Sequence, residues 1–247
     1  MAKTHEGRVA ILTGGAGGLG RYFARALAAA GADVAIADIQ DASDAVKDIE
    51  AAGQRGYSEI CDLSDGEQVT GFAQRVMEKL GKVDILVNNA AYMPLTPYED
   101  FSVEVLRKFM AVNVEASLLL AKTVVPGMRE HQYGRIVQIA SSTIGTPMPK
   151  FGPYVTSKMA GVGLVRALAA ELANDGILVN ALAPGLTATE ESRAHIPAAQ
   201  FDAVASMQLI NETEEPQDLC GALLFLTSEQ CGFVIGQTIN CDGGVNF

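Results

Sequence analysis

Short apolar segments alternate with helix-forming stretches along almost the whole chain, and this alternation constrains the fold more than any other feature. The apolar segments are nearly continuous, which is typical of strands buried on both faces of a parallel sheet. The helices between them would cover both faces. The predicted strands span residues 8–13, 33–37, 56–61, 83–88, 135–140, 177–183 and 237–240. The predicted helices span residues 18–30, 41–52, 65–80, 103–128, 154–174 and 216–227.

This pattern predicts an α/β fold with a doubly wound, seven-stranded parallel sheet. The chain has 247 residues, of which 49% are hydrophobic, enough for one domain that buries roughly three quarters of its unfolded surface. We therefore expect a single domain over residues 1–247. Residues 186–207 interrupt the alternation with mixed polarity, and we predict that they form a substrate lid.

Composition excludes several classes of function. The net charge of -11 disfavours nucleic-acid binding, which needs a basic surface. No apolar run reaches the roughly 18 to 20 residues that cross a bilayer, and the first residues lack the apolar core of a signal peptide. Three histidines and four cysteines occur without metal-binding spacing. We expect a cytoplasmic protein without a metal, a membrane or a nucleic-acid partner.

The first predicted strand runs directly into the segment "TGGAGGLG", residues 13–20, and a helical stretch follows at once. Glycine is needed where a strand turns tightly into a helix and where the backbone approaches a pyrophosphate at the helix N-terminus. A tight turn alone is the alternative, but this context favours dinucleotide binding. The candidate cofactor residues of the loop are Gly14, Gly18, Leu19 and Gly20.

Asp38 ends the second strand, at the place where a carboxylate hydrogen-bonds an adenosine ribose. It would otherwise be a helix cap, but Asp41 and Ser43 lie nearer the next helix. A carboxylate here repels a ribose 2′-phosphate, and Ile39 beside it supplies no cation to attract one. The sequence therefore predicts NAD rather than NADP.

Two further strand ends carry candidate cofactor residues. Asp62 and Leu63 follow the third strand, where the aspartate would meet the adenine or cap the next helix with about equal weight. Asn89 and Ala90 follow the fourth strand, and an amide beside a small residue suits a crowded turn next to the cofactor. The asparagine would equally suit a turn without any ligand.

Tyr154 and Lys158 are one helical turn apart, so that their polar ends share a face and converge on one site. A free tyrosine, with a pKa of about 10, is a poor base near neutrality. We expect the ammonium to lower the pKa of the phenol toward the useful range. A surface tyrosine over a solvated lysine is the structural alternative.

Polar residues at two other positions complete the candidate catalytic set. Ser141 and Ser142 follow the fifth strand, at the edge where doubly wound sheets bind ligands. Asn113 lies in the otherwise apolar stretch "AVNVEASLLLA". A buried amide needs partners, so Asn113 is either a structural polar group or part of a proton relay.

Together these motifs resemble the short-chain dehydrogenase/reductase family over essentially the whole chain. Ala91 departs from the family pattern, which usually has glycine there. Ser141 has the family's usual spacing to Tyr154, whereas Ser142 better matches the usual Ser-Ser-x-x-Gly run, and we choose Ser141 by spacing. The motifs are Thr13-Gly14-x-x-x-Gly18-x-Gly20, Asn88-Asn89-Ala90, Asn113, Ser141, Tyr154-x-x-x-Lys158, Pro184-Gly185 and Asp242-Gly243-Gly244.

The resemblance implies a single Rossmann-type domain with seven parallel strands and a catalytic tetrad of Asn113, Ser141, Tyr154 and Lys158. Tyr154 would exchange a proton with the substrate oxygen, Ser141 would hydrogen-bond that oxygen, and Asn113 would help position a proton path through water. Lys158 would lower the pKa of Tyr154 and hold the nicotinamide ribose, so both residues also count as cofactor-binding. The residues that would surround the nicotinamide end are Pro184, Gly185, Thr187 and Thr189.

The implied substrate pocket is mostly apolar and rich in methionine, which adapts to irregular shapes. We predict NAD-dependent hydride transfer between nicotinamide and a hydrophobic or aromatic secondary alcohol or ketone. A sugar or polyol dehydrogenase, a 3-oxoacyl-carrier-protein reductase and a dinucleotide-sensing regulator without turnover are the alternatives. By resemblance the chain forms a homotetramer. The predicted substrate residues are Met93, Thr143, Met148, Leu186 and Met207.

Overall fold

Seven parallel strands form one sheet in the order β3-β2-β1-β4-β5-β6-β7 in the computed structural model, which describes residues 3–246. The predicted doubly wound sheet is confirmed, and each predicted strand matches an observed one to within two residues at either end. The strand order reverses between β1 and β4, which is where doubly wound sheets open a crevice for ligands. The strands are β1 Val9–Thr13, β2 Asp33–Asp38, β3 Gly56–Ile60, β4 Ile85–Asn88, β5 Gly134–Ile139, β6 Ile177–Pro184 and β7 Thr238–Cys241.

Helices cover both faces of the sheet and leave two separate hydrophobic cores. Neighbouring residues of β1 point into different cores, because side chains alternate along a strand. Ile11 packs with Leu120 on the face covered by α3, α5 and α6, and Leu12 packs with Phe23 on the face covered by α1, α2 and α9. The helices are α1 Gly18–Ala29, α2 Ser43–Ala51, α3 Gly66–Leu80, α4 Val103–Met110, α5 Ala116–Glu130, α6 Gly152–Leu172, α7 Glu190–His195, α8 Ala198–Met207 and α9 Pro216–Thr227.

The predicted helix 103–128 is continuous from Val103 to Glu130 but contains a π-helical turn, Ala111–Glu115, between α4 and α5. Its most apolar window has a mean hydropathy of 1.4, so by length and composition this helix could cross a membrane. Polar residues such as Asn113 interrupt the apolar run in this window without interrupting the helix. In the fold 44% of that window is buried, and a core helix packed on a sheet meets the same criterion.

The segment predicted as a lid, residues 186–207, folds into a loop and the two short helices α7 and α8. An ion pair between Arg193 of α7 and Glu215, just before α9, ties this segment to the rest of the fold. Thr189 caps α7 by accepting a hydrogen bond from the Ser192 N–H at 3.0 Å. The segment therefore begins at a defined point directly after the carboxyl end of β6.

Candidate active site

The glycine loop between β1 and α1 has a shape that only glycine permits at two positions. Gly14 has a φ of 69°, and a Cβ there would lie 2.8 Å from the Cα of Ala90. A Cβ on Gly20 would lie 1.8 Å from the carbonyl oxygen of Gly14. The loop thus folds back onto the first turn of α1 and leaves its backbone open to the cleft beside it.

Asp38 at the end of β2 holds the glycine loop from the side. One carboxylate oxygen accepts the Ala16 N–H at 2.9 Å, and the other accepts the Gln40 N–H at 3.0 Å. The alternative assignment as a helix cap is wrong, because the Asp41 carboxylate accepts the Ser43 N–H at the start of α2. Asp38 therefore presents a negative charge at the position predicted for the ribose.

The structure decides one of the two alternatives for Asp62, the helix cap. Asp65 is the N-cap of α3 and accepts hydrogen bonds from the N–H groups of Glu67 and Gln68. Asp62 accepts instead from the N–H and the hydroxyl of Ser64, each at 2.8 Å, and it lines the cleft beside the glycine loop. The capping assignment of Asp62 is wrong, and its contact with the adenine stays a prediction.

Asn89, after β4, locks this strand end to the glycine loop. Its side-chain amide donates to the carbonyl oxygens of Thr13 and Gly14, both at 2.9 Å. The Thr13 hydroxyl in turn accepts the N–H groups of Asn89 and Ala90 at 2.9 and 3.0 Å. Sequence reasoning quoted Thr13 only as part of the family motif, and the structure shows that its side chain joins the two strand ends.

These elements enclose a cleft of about 830 Å³ at the carboxyl edge of the sheet. A nicotinamide dinucleotide fits this donor set, because the cleft combines open glycine backbone at a helix N-terminus with a carboxylate at the end of β2. Arg107, Lys108 and Glu191 also line the cleft, and none of them was among the predicted cofactor residues. The predicted cofactor residues that line it are Gly14, Gly18, Leu19, Gly20, Asp38, Ile39, Asp62, Leu63, Asn89 and Ala90.

Tyr154 and Lys158 lie in the first turns of α6, outside the lining of this cleft and nearly buried, at 7% and 2% exposure. The Lys158 ammonium is 5.6 Å from the centre of the Tyr154 ring and donates to the carbonyl oxygen of Ile139 at 2.6 Å. The ammonium therefore lies beside the Tyr154 ring, on the same face of α6 as the helical spacing predicted. The alternative of a solvated surface pair is wrong, because both side chains are buried.

Burial sets the pKa values of this pair. Burial raises the pKa of Tyr154 to about 12, and a hydrogen bond with Ser141 lowers it only in part. Burial also lowers the pKa of Lys158 to about 8. The net pKa shift of Tyr154 is therefore upward, opposite to the direction expected from Lys158, because loss of hydration of the phenolate dominates. The phenol is protonated at neutral pH.

Ser141 is the serine that contacts Tyr154. Its hydroxyl oxygen also accepts from the hydroxyl of Thr143 at 2.9 Å, which orders the turn after β5. Ser142 makes a different contact, through its backbone. Its carbonyl oxygen accepts a hydrogen bond from the side-chain amide of Asn246 at 3.1 Å. The geometry thus favours the choice of Ser141 that spacing had suggested.

Asn113 lies in the π-helical turn and is 1% exposed. Its side chain accepts the Tyr92 N–H at 2.8 Å and donates to the Tyr92 carbonyl oxygen at 3.0 Å. It also donates to the Ser157 hydroxyl at 2.9 Å, and that hydroxyl donates to the Tyr154 carbonyl oxygen at 2.8 Å. The asparagine side chain is a structural bridge between the loop after β4 and the turn of α6 that carries Tyr154, and sequence reasoning missed Ser157.

The residues predicted for the nicotinamide end and for the substrate lie further along the same edge of the sheet. Pro184 is the last residue of β6, and the loop Gly185–Thr189 leads from it into α7. Three predicted substrate residues are exposed by about half, namely Met93 at 51%, Met148 at 40% and Met207 at 58%. Thr143 and Leu186 are half-buried, and none of these five lines the 830 Å³ cleft.

Comparison with known proteins agrees with this geometry. A family model described as Enoyl-(Acyl carrier protein) reductase matches residues 14–246. Dehydrogenase/reductase SDR family member 4 of Bos taurus is 36% identical over 244 residues, which cover 97% of this chain and 87% of that protein. The chain belongs to the short-chain dehydrogenase/reductase family. It is therefore an oxidoreductase of this family.

Two solved structures of the family show what similar proteins bind. A 7α-hydroxysteroid dehydrogenase complexed with NADH and 7-oxo glycochenodeoxycholic acid has a TM-score of 0.93 and 32% identity, covering 98% of this chain and 95% of that one. A 3-oxoacyl (acyl-carrier-protein) reductase from Agrobacterium tumefaciens C58 with NADP bound has a TM-score of 0.90 and 31% identity, with the same two coverages. Similar members of the family thus bind either NAD(H) or NADP.

Proposed function

We propose that this short-chain dehydrogenase/reductase interconverts a hydrophobic or aromatic ketone and its secondary alcohol with NAD(H). The observation that carries the proposal is the burial of Tyr154 beside Lys158, whose ammonium donates to the Ile139 carbonyl oxygen at the end of β5, on the edge of the sheet that also holds the dinucleotide cleft. When bound, the nicotinamide supplies or accepts the hydride. The protein positions the carbonyl oxygen and exchanges the proton.

The protonation state of Tyr154 favours its use as an acid. With a pKa of about 12 the phenol carries its proton at neutral pH and can give it to the oxygen of a carbonyl that is being reduced. Ser141 contacts Tyr154 and is placed to hydrogen-bond the same oxygen. We propose that the Lys158 ammonium, which lies beside the phenol, stabilises the charge left on Tyr154 and binds the nicotinamide ribose.

The preference for NAD rests on Asp38. Asp38 lines the cleft, and a carboxylate at the predicted ribose position would repel a 2′-phosphate. Arg107 and Lys108 also line this cleft, but they project from α4, whereas Asp38 follows β2. We propose that repulsion by Asp38 dominates at the ribose and that the two cations act elsewhere on the cofactor.

The test is a steady-state comparison of NADH and NADPH over aromatic ketones, steroid ketones, sugar-derived ketones and a 3-oxoacyl thioester. We expect higher kcat/KM with NADH and with the apolar ketones. Activity confined to polyols and keto sugars would favour the sugar dehydrogenase alternative. Activity confined to the thioester with NADPH would favour the carrier-protein reductase. NADH binding without turnover of any of them would favour a sensing function.

We also propose that the chain forms a homotetramer. Apolar side chains are exposed on the two long helices that resemble the packing helices of the family, with Leu118 of α5 at 38% and Met159 of α6 at 52%. Phe233, just before the edge strand β7, is fully exposed. Light scattering coupled to gel filtration tests this: a molar mass near four chains is expected, and a monomer at micromolar concentration would contradict it.

A further inference from the structure

Glu214, in the segment before α9, is a buried carboxyl group that the proposed chemistry does not use. Its side chain reaches the loop after β6: one oxygen accepts the Gly185 N–H at 3.1 Å, and the other accepts the Thr187 hydroxyl at 2.5 Å. Its own carbonyl oxygen accepts the Ala188 N–H at 2.8 Å. With only 8% of its surface exposed, Glu214 thus makes three hydrogen bonds to three residues of the stretch 185–188.

Gly185 is shaped to receive this carboxyl group. A Cβ at residue 185 would lie 2.8 Å from the nearer oxygen of Glu214 and 3.2 Å from the Cα of Asp242. Any larger residue would therefore push the carboxyl group away from the loop. The glycine and the glutamate form one local arrangement, although 29 positions separate them in the sequence.

We propose that Glu214 is a positioning residue that fixes the loop Gly185–Thr189 for the nicotinamide end of the cofactor, an inference that rests on the proposed function. A loop that is already ordered costs less entropy when a ligand binds to it. The Thr187 hydroxyl donates its hydrogen bond to Glu214, so the hydroxyl oxygen can only accept a hydrogen bond from a ligand, for example from an N–H group. Glu214 thereby controls both the path of the loop and the hydrogen-bonding character of Thr187.

Carboxyl groups face Glu214 from two other parts of the fold. Burial, together with the negative charges of Asp242 and Asp218, raises the pKa of Glu214 to about 7 even though the hydrogen bonds from Thr187 and Gly185 lower it. Cys241, at the end of β7, is close enough for Glu214 to raise the pKa of its thiol. In the folded protein Glu214 thus keeps a proton that the unfolded chain, with an ordinary glutamate, loses at lower pH.

The sign of the resulting pH dependence follows. Between about pH 4.5 and 7 the folded state binds more protons at this position than the unfolded state, so stability falls as the pH rises through that window. In Glu214→Gln this dependence disappears, because the amide does not titrate. The wild type should therefore lose thermal stability relative to Glu214→Gln as the pH is raised from 5 to 8.

The binding experiment separates positioning of the nicotinamide loop from general damage to the site. Dissociation constants of NAD⁺ and of ADP-ribose, which lacks the nicotinamide, are measured by calorimetry for the wild type, Glu214→Ala and Glu214→Gln. We expect Glu214→Ala to weaken NAD⁺ binding about tenfold or more, as loss of hydrogen bonds to a carboxylate predicts, and to leave ADP-ribose binding within about twofold. Glu212→Gln, an exposed position in the same segment, is the control.

Unchanged NAD⁺ binding in Glu214→Ala, or equal weakening of both ligands, would overturn the proposal. Glu214→Gln has nearly the same shape and gives the same comparison if the alanine variant does not fold. A difference in thermal midpoint between wild type and Glu214→Gln that stays constant from pH 5 to 8 would also overturn it. If the wild type binds neither ligand, the proposed function fails, and the thermal comparison alone decides whether Glu214 anchors the loop.

Discussion

The two parts of the carboxyl edge of the sheet are held together by different kinds of contact. Around β1, β2 and β4, the loops are fixed by glycine conformation and by hydrogen bonds that involve the backbone, as in the contacts of Asp38 with Ala16 and of Asn89 with Gly14. Around β5, β6 and β7, side chains from distant parts of the sequence meet one another. Glu214 reaches Thr187 there.

This difference separates the residues that bind the cofactor from those that transfer the proton. The first part, here called the dinucleotide half, offers an open cleft and a fixed negative charge at Asp38. The second part, here called the reaction half, buries Tyr154 and Lys158 and sets their protonation by desolvation. Substitutions in the dinucleotide half should therefore change binding of the ADP-ribose part of the cofactor, and substitution of Tyr154 in the reaction half should change turnover.

The largest effect is expected from Tyr154→Phe, which removes only the hydroxyl that gives or takes the proton. We expect kcat to fall by a factor of about 10² to 10⁴, the usual contribution of a positioned acid or base. Because the ring stays in place, NAD⁺ affinity and the thermal midpoint should change little. Stopped-flow and steady-state rates measure the loss, and Tyr98→Phe, at a position that is 87% exposed, is the control. Retention of most of the activity would show that another group transfers the proton.

Gly20→Ala should disrupt cofactor binding by the dinucleotide half. The added Cβ would lie 1.8 Å from the Gly14 carbonyl oxygen, so the loop must move away from the first turn of α1. We expect ADP-ribose binding to weaken by about a hundredfold or more, the effect of losing several backbone contacts together. Gly221→Ala in α9 is the control, because a Cβ there meets no atom within 4 Å. Normal ADP-ribose affinity in Gly20→Ala would mean that this loop does not hold the pyrophosphate.

Asp38→Asn tests whether the dinucleotide half selects NAD over NADP through the charge of Asp38. The amide oxygen can still accept one backbone N–H, but the negative charge at the ribose position is gone. We expect the ratio of kcat/KM for NADH over NADPH to fall about tenfold, roughly the effect of removing one charge contact at a partly solvated site. Asp41→Asn, which removes a nearby carboxylate at the start of α2, should leave the ratio unchanged. An unchanged ratio in Asp38→Asn would place cofactor selection on Arg107 or Lys108.

The dinucleotide half was also the part that the sequence predicted well. Its strands are continuous apolar runs, and its loop residues follow directly from strand ends, so local pattern sufficed to place Gly14, Asp38 and Asn89. Local pattern failed where two carboxylates competed for one role, since Asp62 and Asp65 precede the same helix and only the structure shows that Asp65 caps it.

The reaction half depends on information that local sequence does not contain. Glu214 lies in the polar stretch "NETEEPQ", which is typical of a solvated loop, and its burial depends on Gly185 in another segment. The π-helical turn at Asn113 has no signature in the apolar pattern. The pKa of Tyr154 was predicted in the wrong direction because the charge of Lys158 is evident from the sequence, whereas the burial of both groups is not.

Ser157→Ala tests the reaction half with the smallest expected effect. The buried Ser157 hydroxyl donates to the Tyr154 carbonyl oxygen and accepts from the side chain of Asn113, so the alanine leaves the asparagine amide with one partner fewer. We expect the free energy of unfolding to fall by about 1 to 3 kcal/mol, the usual cost of such a loss in a buried site.

Ser206→Ala is the matched control for this stability measurement. The Ser206 hydroxyl makes the same kind of bond to the residue three positions earlier, Ala203, but it is exposed and has no second partner among the described residues. The difference between the two variants in urea unfolding therefore isolates the bond from Asn113 to Ser157. Because Tyr154 keeps its hydroxyl in Ser157→Ala, kcat should fall far less than in Tyr154→Phe. Equal unfolding free energies for the two serine variants would show that the bridge through Asn113 does not stabilise the turn that carries Tyr154.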